Sequence, residues 1–274
     1  MGFVFDRNMA RIYDAWSRSS QGRAIDRSIE QLILSLLDPG LGERVLDIGC
    51  GSGNHLLILN KMGLDVSGVD ASPEMIELAK ERLGHRCTLK TGVAEDLPFE
   101  DNEFDFAVLI NTVEFLDNPV EALREAGRVA NKKVFVGVIN SLSWNGLLRR
   151  IEGYLGNPLF GGAKFYNLWQ LKSLLKAAYG PVPISWGCIK LRPSFVEEMR
   201  PFGRPLWDWK ESPFGFFLGV SATMAYRIKA DKIPLKIRLK EATQPLMTVK
   251  TFSQMAAHQG QGGEFKARNC PGVY

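Results

Sequence analysis

The amino-acid sequence predicts an α/β fold in which helices cover both faces of a mostly parallel, doubly wound sheet of seven strands. Short apolar strands alternate with helical stretches from about residue 44 onwards, which is typical of a parallel sheet. A glycine-rich turn directly follows the first strand. The last two strands have no helix of usual length between them, so we expect an antiparallel hairpin at the sheet edge.

The first segment of the chain has the periodicity of a helix over residues 3–37, and the sequence DPG at 38–40 ends it. Its second half carries apolar residues at intervals of three and four: Ile25, Ile29, Leu32, Ile33, Leu36 and Leu37. We expect residues 1–38 to form a helical lid segment ahead of the main domain.

The main domain is predicted to extend over residues 39–228. Its predicted strands are 44–48, 65–69, 87–91, 104–110, 133–139, 182–190 and 214–228. Its predicted helices are about 54–62, 73–83, 119–130 and 167–178. Each crossover between parallel strands is expected to be right-handed.

Two long insertions, 141–165 and 191–213, interrupt this domain. Both are rich in aromatic residues and contain Gly and Pro, so we expect loop or helical lids over the end of the sheet where ligands bind. Residues 229–274 form a basic and then polar tail with eight Lys or Arg and three Asp or Glu. This composition predicts poor order.

The composition argues against several classes of protein. The net charge of +4 lies in the tail, since the residues before it hold 26 basic and 27 acidic side chains, and nucleic-acid binding is therefore not expected. No apolar run is long enough for a membrane span, and charges near the N-terminus argue against a signal peptide. We expect a cytoplasmic protein. The four cysteines and three histidines lack metal-ligand spacing, so no metal site is expected.

The turn after the first strand carries Gly49, Gly51 and Gly53, preceded by Asp47. A dinucleotide site would need the spacing G-x-G-x-x-G, and a carboxylate at Asp47 would repel a pyrophosphate. A ligand with an ammonium group, such as S-adenosylmethionine, suits this carboxylate. A merely tight turn explains one or two of the glycines but not three together with the acid.

The next strand ends at Asp70, where a carboxylate can accept hydrogen bonds from both hydroxyls of a ribose. The alternative is that Asp70 caps the following helix. Ser72 suits that role better because it precedes Pro73 at the first helical position. Both roles can therefore be filled without conflict.

Three motifs together resemble the class I S-adenosylmethionine-dependent methyltransferases, in the group that includes many bacterial small-molecule and quinone methyltransferases. They are LDIGCGSGN, GVD followed by SPEMIELAKERL, and GVAEDLPFEDNEFD. The opening FDRNMARIYDAW also resembles the first helix of that group, and the resemblance covers roughly residues 5–228. It implies a Rossmann-like fold and S-adenosylmethionine as the cofactor.

The resemblance also implies roles for single residues. Asp47 and the glycine turn would hold the methionine part, Asp70 the ribose and residues 93–95 the adenine. Many relatives have Asp where this chain has Val93, so that contact to the adenine amine is missing. Asn111 would lie near the sulfonium. The expected cofactor-binding set is Asp47, Gly49, Cys50, Gly51, Gly53, Asp70, Ala71, Val93, Ala94, Glu95 and Asn111.

Methyl transfer needs a general base only if the acceptor has a proton to lose. The candidates are Glu114 after the fourth strand, His55 after the glycine turn and Tyr13 in the first helix. Each also has a structural interpretation: a surface carboxylate, a residue packed under the turn and a core aromatic. We interpret Cys50 as a small filler residue rather than a nucleophile.

The aromatic residues of the insertions favour a small, apolar or aromatic methyl acceptor over a protein or RNA. Tyr166, Trp207 and Trp209 are the candidates for its pocket, although a set of aromatics is more often packing. Two other functions remain open: a cofactor-binding sensor or partner subunit without catalysis, and a nicotinamide-dependent oxidoreductase. A homodimer is an open alternative to a monomer.

Overall fold

The computed structural model describes residues 3–143, 162–190 and 212–224. Seven strands in these ranges form one mixed sheet. They are β1 (Arg44–Ile48), β2 (Asp65–Asp70), β3 (Thr88–Thr91), β4 (Phe104–Ile110), β5 (Ala130–Ile139), β6 (Ile184–Ile189) and β7 (Phe217–Thr223). Their order across the sheet is β3-β2-β1-β4-β5-β7-β6.

Helices connect the strands and cover the sheet. They are α1 (Arg7–Ser17), α2 (Ser20–Leu37), α3 (Asn54–Lys61), α4 (Pro73–Leu83), α5 (Pro119–Val129) and α6 (Leu168–Tyr179). A single 3-10 turn, Val113–Phe115, follows β4. No helix in the ranges given above is long and apolar enough to cross a membrane.

The pairing of the strands confirms the predicted fold class. Strands β3, β2, β1, β4 and β5 pair in parallel, whereas β7 runs antiparallel to both β5 and β6. The two last strands therefore form the expected antiparallel hairpin at the edge. The carboxyl ends of the parallel strands consequently meet at one rim, which is where open α/β sheets bind ligands.

Strand β4 shows why the sequences of the central strands are continuous apolar runs rather than alternating apolar and polar residues. Phe106, Val108 and Ile110 pack on the side of α2, α3 and α4, while Ala107 and Leu109 pack on the side of α5 and α6. Both faces of the strand are thus buried, as expected for a strand flanked by helices on both sides. The sheet forms the middle layer of three.

The predicted single helix over residues 3–37 is wrong, because the structure has two helices preceded by extended chain. Asp6 caps α1 by accepting hydrogen bonds from the backbone N–H groups of Asn8 and Met9, both at 2.9 Å. Ser19 caps α2 by accepting from the N–H of Gly22 at 3.0 Å. A side chain at Gly22 would lie 2.4 Å from the carbonyl oxygen of Trp16, so glycine permits this sharp turn.

The insertions and the tail fall largely outside the described residues. Within 141–165 these exclude 144–161, and within 191–213 they exclude 191–211. The whole of 229–274 lies outside them as well. The lid function of the insertions and the poor order of the tail therefore remain predictions.

Helix α2 is held to the sheet by Ile33, whose side chain is fully buried. We expect Ile33→Ala to lower the free energy of unfolding by about 3 kcal/mol, because truncation leaves a cavity between helix and sheet. Chemical denaturation with urea measures this change. Leu41→Ala is the control: Leu41 is 86% exposed, and its truncation should change stability by less than about 0.5 kcal/mol. Equal effects of the two substitutions would contradict the packing described for α2.

Candidate functional site

A cavity of about 220 Å³ lies at the carboxyl ends of β1, β2, β4 and β5. Its other walls come from the segment before α1 and from helices α1 and α2. The charged side chains among its described lining residues are all acidic: Asp26, Asp70, Glu95 and Glu114. His55 also lines the cavity, but burial lowers its pKa to about 4, so the imidazole is neutral at neutral pH. The cavity is therefore suited to a cation.

The glycine turn after β1 has three left-handed residues, at φ angles of 74° for Gly49, 52° for Gly51 and 78° for Gly53. Packing against the protein explains two of them. A Cβ on Gly49 would lie 2.5 Å from the Thr112 side chain, and one on Gly53 would lie 2.7 Å from Leu83. A Cβ on Gly51 would meet nothing closer than 3.8 Å. Protein packing therefore does not require glycine at this position, and the missing side chain at Gly51 leaves space at the base of the cavity.

Asp47 precedes this turn and is 1% exposed. Neither of its carboxylate oxygens has a hydrogen-bond partner among the described residues. Burial, and then the nearby charge of Asp70, raise the pKa of the Asp47 carboxyl to about 8. A buried carboxylate without a partner is costly, so a cationic group at this point would stabilise its ionised form. Asp47 does not itself line the cavity in the described part of the chain.

Asp70 ends β2 and does line the cavity. One carboxylate oxygen accepts a hydrogen bond from the N–H of Gly51 at 2.8 Å, and the other accepts from the N–H of Ser72 at 2.9 Å. The first contact joins Asp70 to the glycine turn, a link that the sequence interpretation missed. Ser72 caps α4, as predicted, by accepting from the N–H of Met75 at 3.2 Å.

The other residues expected to bind the cofactor also come together here. Cys50, Ala71, Val93, Ala94, Glu95 and Asn111 all line the cavity. Burial raises the pKa of the Cys50 thiol well above its ordinary value, which agrees with a filler rather than a nucleophile. Asn111 adopts a left-handed φ of 52°, and its buried side-chain oxygen has no partner among the described residues.

Glu114 follows β4 and is 2% exposed, so it is not the surface carboxylate that one interpretation proposed. One oxygen accepts a hydrogen bond from the N–H of Ile139 at 3.1 Å, whereas the other is buried without a partner in the described residues. Burial raises its pKa to about 8. Glu114 also lines the cavity.

An aromatic cluster covers the cavity from the N-terminal side. It consists of Phe3, Phe5, Tyr13, Trp16 and Phe115, with neighbouring ring centroids 5.4–6.2 Å apart. The backbone fixes its position, since the N–H of Phe3 donates to the carbonyl of Phe115 at 3.0 Å and the Ser72 hydroxyl donates to the carbonyl of Phe5 at 2.7 Å. Burial and neighbouring carboxylates raise the pKa of Tyr13, so its hydroxyl stays protonated.

Other predicted pocket residues lie elsewhere. Tyr166 packs against the core below α6 and does not line the cavity, whereas its neighbour Phe165 does. Trp207 and Trp209 lie outside the described residues. Asp26 on α2 lines the cavity and was missed, because in the sequence it reads as one polar position on an amphipathic helix.

Comparison with known proteins identifies the fold and the cofactor. A family model described as a methyltransferase domain matches residues 46–136. An uncharacterized protein of Methanocaldococcus jannaschii is 34% identical over 176 residues, which cover 63% of this chain and 78% of that protein. The chain belongs to the class I S-adenosylmethionine-dependent methyltransferases.

Two further comparisons agree with this family. An uncharacterized methyltransferase of Mycobacterium tuberculosis is 32% identical over 126 residues, which cover 44% of this chain and 51% of that protein. A solved S-adenosylmethionine-dependent methyltransferase of Thermotoga maritima shares the fold with a TM-score of 0.62 at 23% identity, over 80% of this chain and 97% of that one.

S-adenosylmethionine is the cofactor of this methyltransferase. The geometry of the cavity fits this cofactor. A Cβ on Gly51 would meet nothing closer than 3.8 Å, so there is space beside it, and the side-chain oxygens of Asp47 and Asn111 have no partner among the described residues. S-adenosylmethionine as the cofactor replaces the nicotinamide alternative, and the glycine spacing agrees with it.

Removal of the Asp70 side chain should weaken the binding of S-adenosylhomocysteine. In Asp70→Ala we expect about ten- to hundredfold weaker affinity, because a charge-assisted hydrogen bond is worth roughly 1.5–3 kcal/mol and the brace on Gly51 is also lost. Isothermal titration calorimetry measures this change. Asp65→Ala is the control at the exposed start of the same strand. Unchanged affinity in Asp70→Ala would refute a role of Asp70 in the cofactor site.

Proposed function

We propose that this methyltransferase methylates a small, apolar or aromatic acceptor by direct in-line displacement. The acceptor's lone pair forms the new bond to the methyl carbon, the carbon–sulfur bond breaks with its electron pair returning to sulfur, and the acceptor's proton leaves. The observation that carries the proposal is the aromatic cluster directly above the cofactor residues. Such rings exclude water and suit a reaction in which positive charge on sulfur is dispersed.

On the cofactor side, the proposed roles follow the geometry of the cavity. Asp70 accepts hydrogen bonds from the ribose, and residues 93–95 border the adenine. Asp47 and the glycine turn hold the methionine part. Asn111 lies at the end of β4, and its side-chain oxygen, which has no partner among the described residues, would face the sulfonium end of the cofactor.

On the acceptor side, we assign the proton-accepting role to Glu114. Its free oxygen is the only described carboxylate oxygen that is both buried without a partner and on a residue lining the cavity. A base works best when its pKa lies near the working pH, and the pKa of Glu114 is raised to about 8. His55, with a pKa lowered to about 4, and Tyr13, with a raised pKa, are poorer bases.

The proposed activity is tested with labelled S-adenosylmethionine and a panel of acceptors. The panel contains aromatic and alkyl amines, phenols, and matched compounds that carry a carboxylate. We expect transfer to neutral apolar members, and little transfer to carboxylates because the described lining holds acidic side chains and no positively charged one, His55 being neutral. Exclusive turnover of strongly anionic acceptors would contradict the proposed substrate class.

The role of Glu114 predicts a pH dependence. Since burial raises its pKa, the carboxylate needed as a base is scarce at pH 6 and predominates above about pH 8, so kcat should rise up to tenfold per pH unit across that interval. Glu114→Gln keeps an acceptor for the N–H of Ile139 but removes the base. We expect it to lower kcat about a hundredfold and to flatten this rise.

Two control measurements accompany the Glu114→Gln experiment. Glu114→Gln should bind S-adenosylhomocysteine within about threefold of the wild-type affinity, which shows that the cofactor site is intact. Glu95→Gln, another acid in the same cavity, should keep the rise of kcat with pH. A Glu114→Gln enzyme with the wild-type pH profile would exclude Glu114 as the base.

A further inference from the structure

The cavity holds one carboxyl group that the roles above do not use. Asp26 lies on α2, is 6% exposed and lines the cavity. Its side chain accepts no hydrogen bond and forms no ion pair within 4 Å in the described part of the chain. Burial raises its pKa to about 6, and the more distant charge of Arg82 only partly opposes this rise. A cationic ligand in the cavity would supply the partner that the described residues do not give to this carboxylate.

The groups around Asp26 do not supply that partner. Arg82 is already paired with Asp14, and it does not line the cavity. His55, on α3, is neutral because burial lowers its pKa. Tyr13, on α1, lines the same cavity, and its ring faces Gly51.

Asp26 and Asp47 both act electrostatically on Tyr13, whose ring also lines the cavity. The negative charges of both carboxylates raise the pKa of the Tyr13 hydroxyl, Asp26 more strongly than Asp47. Both carboxyls therefore influence one hydroxyl, and the ring that carries it lies against Gly51 in the glycine turn. This is the part of the site where the methionine moiety of the cofactor is expected, and that moiety ends in an ammonium group.

We propose that Asp26 binds the ammonium group of the cofactor's methionine moiety together with Asp47; this assignment rests on the proposed function. The cation supplies the partner that both carboxyls lack. Helix α2 then belongs to the cofactor site, and the N-terminal helices do more than cover the acceptor. Cofactor fragments that lack the ammonium group should lose this contribution.

Three ligands separate the possible contacts of Asp26. S-adenosylhomocysteine has both the ammonium and the carboxylate group, decarboxylated S-adenosylhomocysteine has only the ammonium group, and methylthioadenosine has neither. In Asp26→Asn we expect the first two to bind about tenfold or more weakly, and methylthioadenosine to bind within about twofold of wild type. Isothermal titration calorimetry measures all three affinities.

Glu30→Gln is the matched control, because Glu30 lies one turn further along α2 and does not line the cavity. It should leave all three affinities unchanged. If Asp26→Asn does not fold, Asp26→Ser replaces it with the same expected pattern. Thermal unfolding of each variant shows whether the fold is retained.

The proposal is overturned if Asp26→Asn weakens all three ligands equally, weakens none, or weakens S-adenosylhomocysteine but not its decarboxylated form. Failure of the wild-type protein to bind S-adenosylhomocysteine would instead overturn the proposed function. The two failures are thus distinguishable in one set of titrations.

Discussion

The contact on which the site depends is the pair of hydrogen bonds accepted by Asp70. The carboxylate joins the glycine turn after β1 at Gly51 to the start of α4 at Ser72. Ser72 then donates its hydroxyl hydrogen to the carbonyl of Phe5 and so positions the segment before α1. A single carboxylate thereby links two strand ends, one helix and the aromatic cover, which is why the floor and roof of the cavity are positioned together.

Unsatisfied carboxyl groups determine the electrostatics of this cavity. Asp47, Asp26 and Glu114 are all buried, and burial raises the pKa of each. A protein retains such costly groups most readily where a ligand supplies the missing partner. A cofactor with a sulfonium and an ammonium group meets that requirement, and its demethylated product, which lacks the sulfonium charge, meets it less well.

The sequence predicted the sheet well because each strand is short, apolar and bounded by turn residues, as at Arg44–Ile48 and Phe104–Ile110. It missed the break between α1 and α2, which falls in the polar stretch 17–23, because the close approach of Gly22 to Trp16 is visible only in three dimensions. The bond between Asp70 and Gly51 was missed for the same reason: it joins residues 19 positions apart.

The position of the cavity could be predicted from sequence because topology fixes it: residues that end neighbouring parallel strands must meet at one rim. The acceptor side follows no such rule. The proposed acceptor wall involves the segment before α1, helix α1 and residues after β4, and these elements meet through long-range packing such as that of Phe3 on Phe115. Glu114 follows β4, and this position in the sequence made it a candidate for the site. Its burial, in contrast, could be seen only in the folded structure.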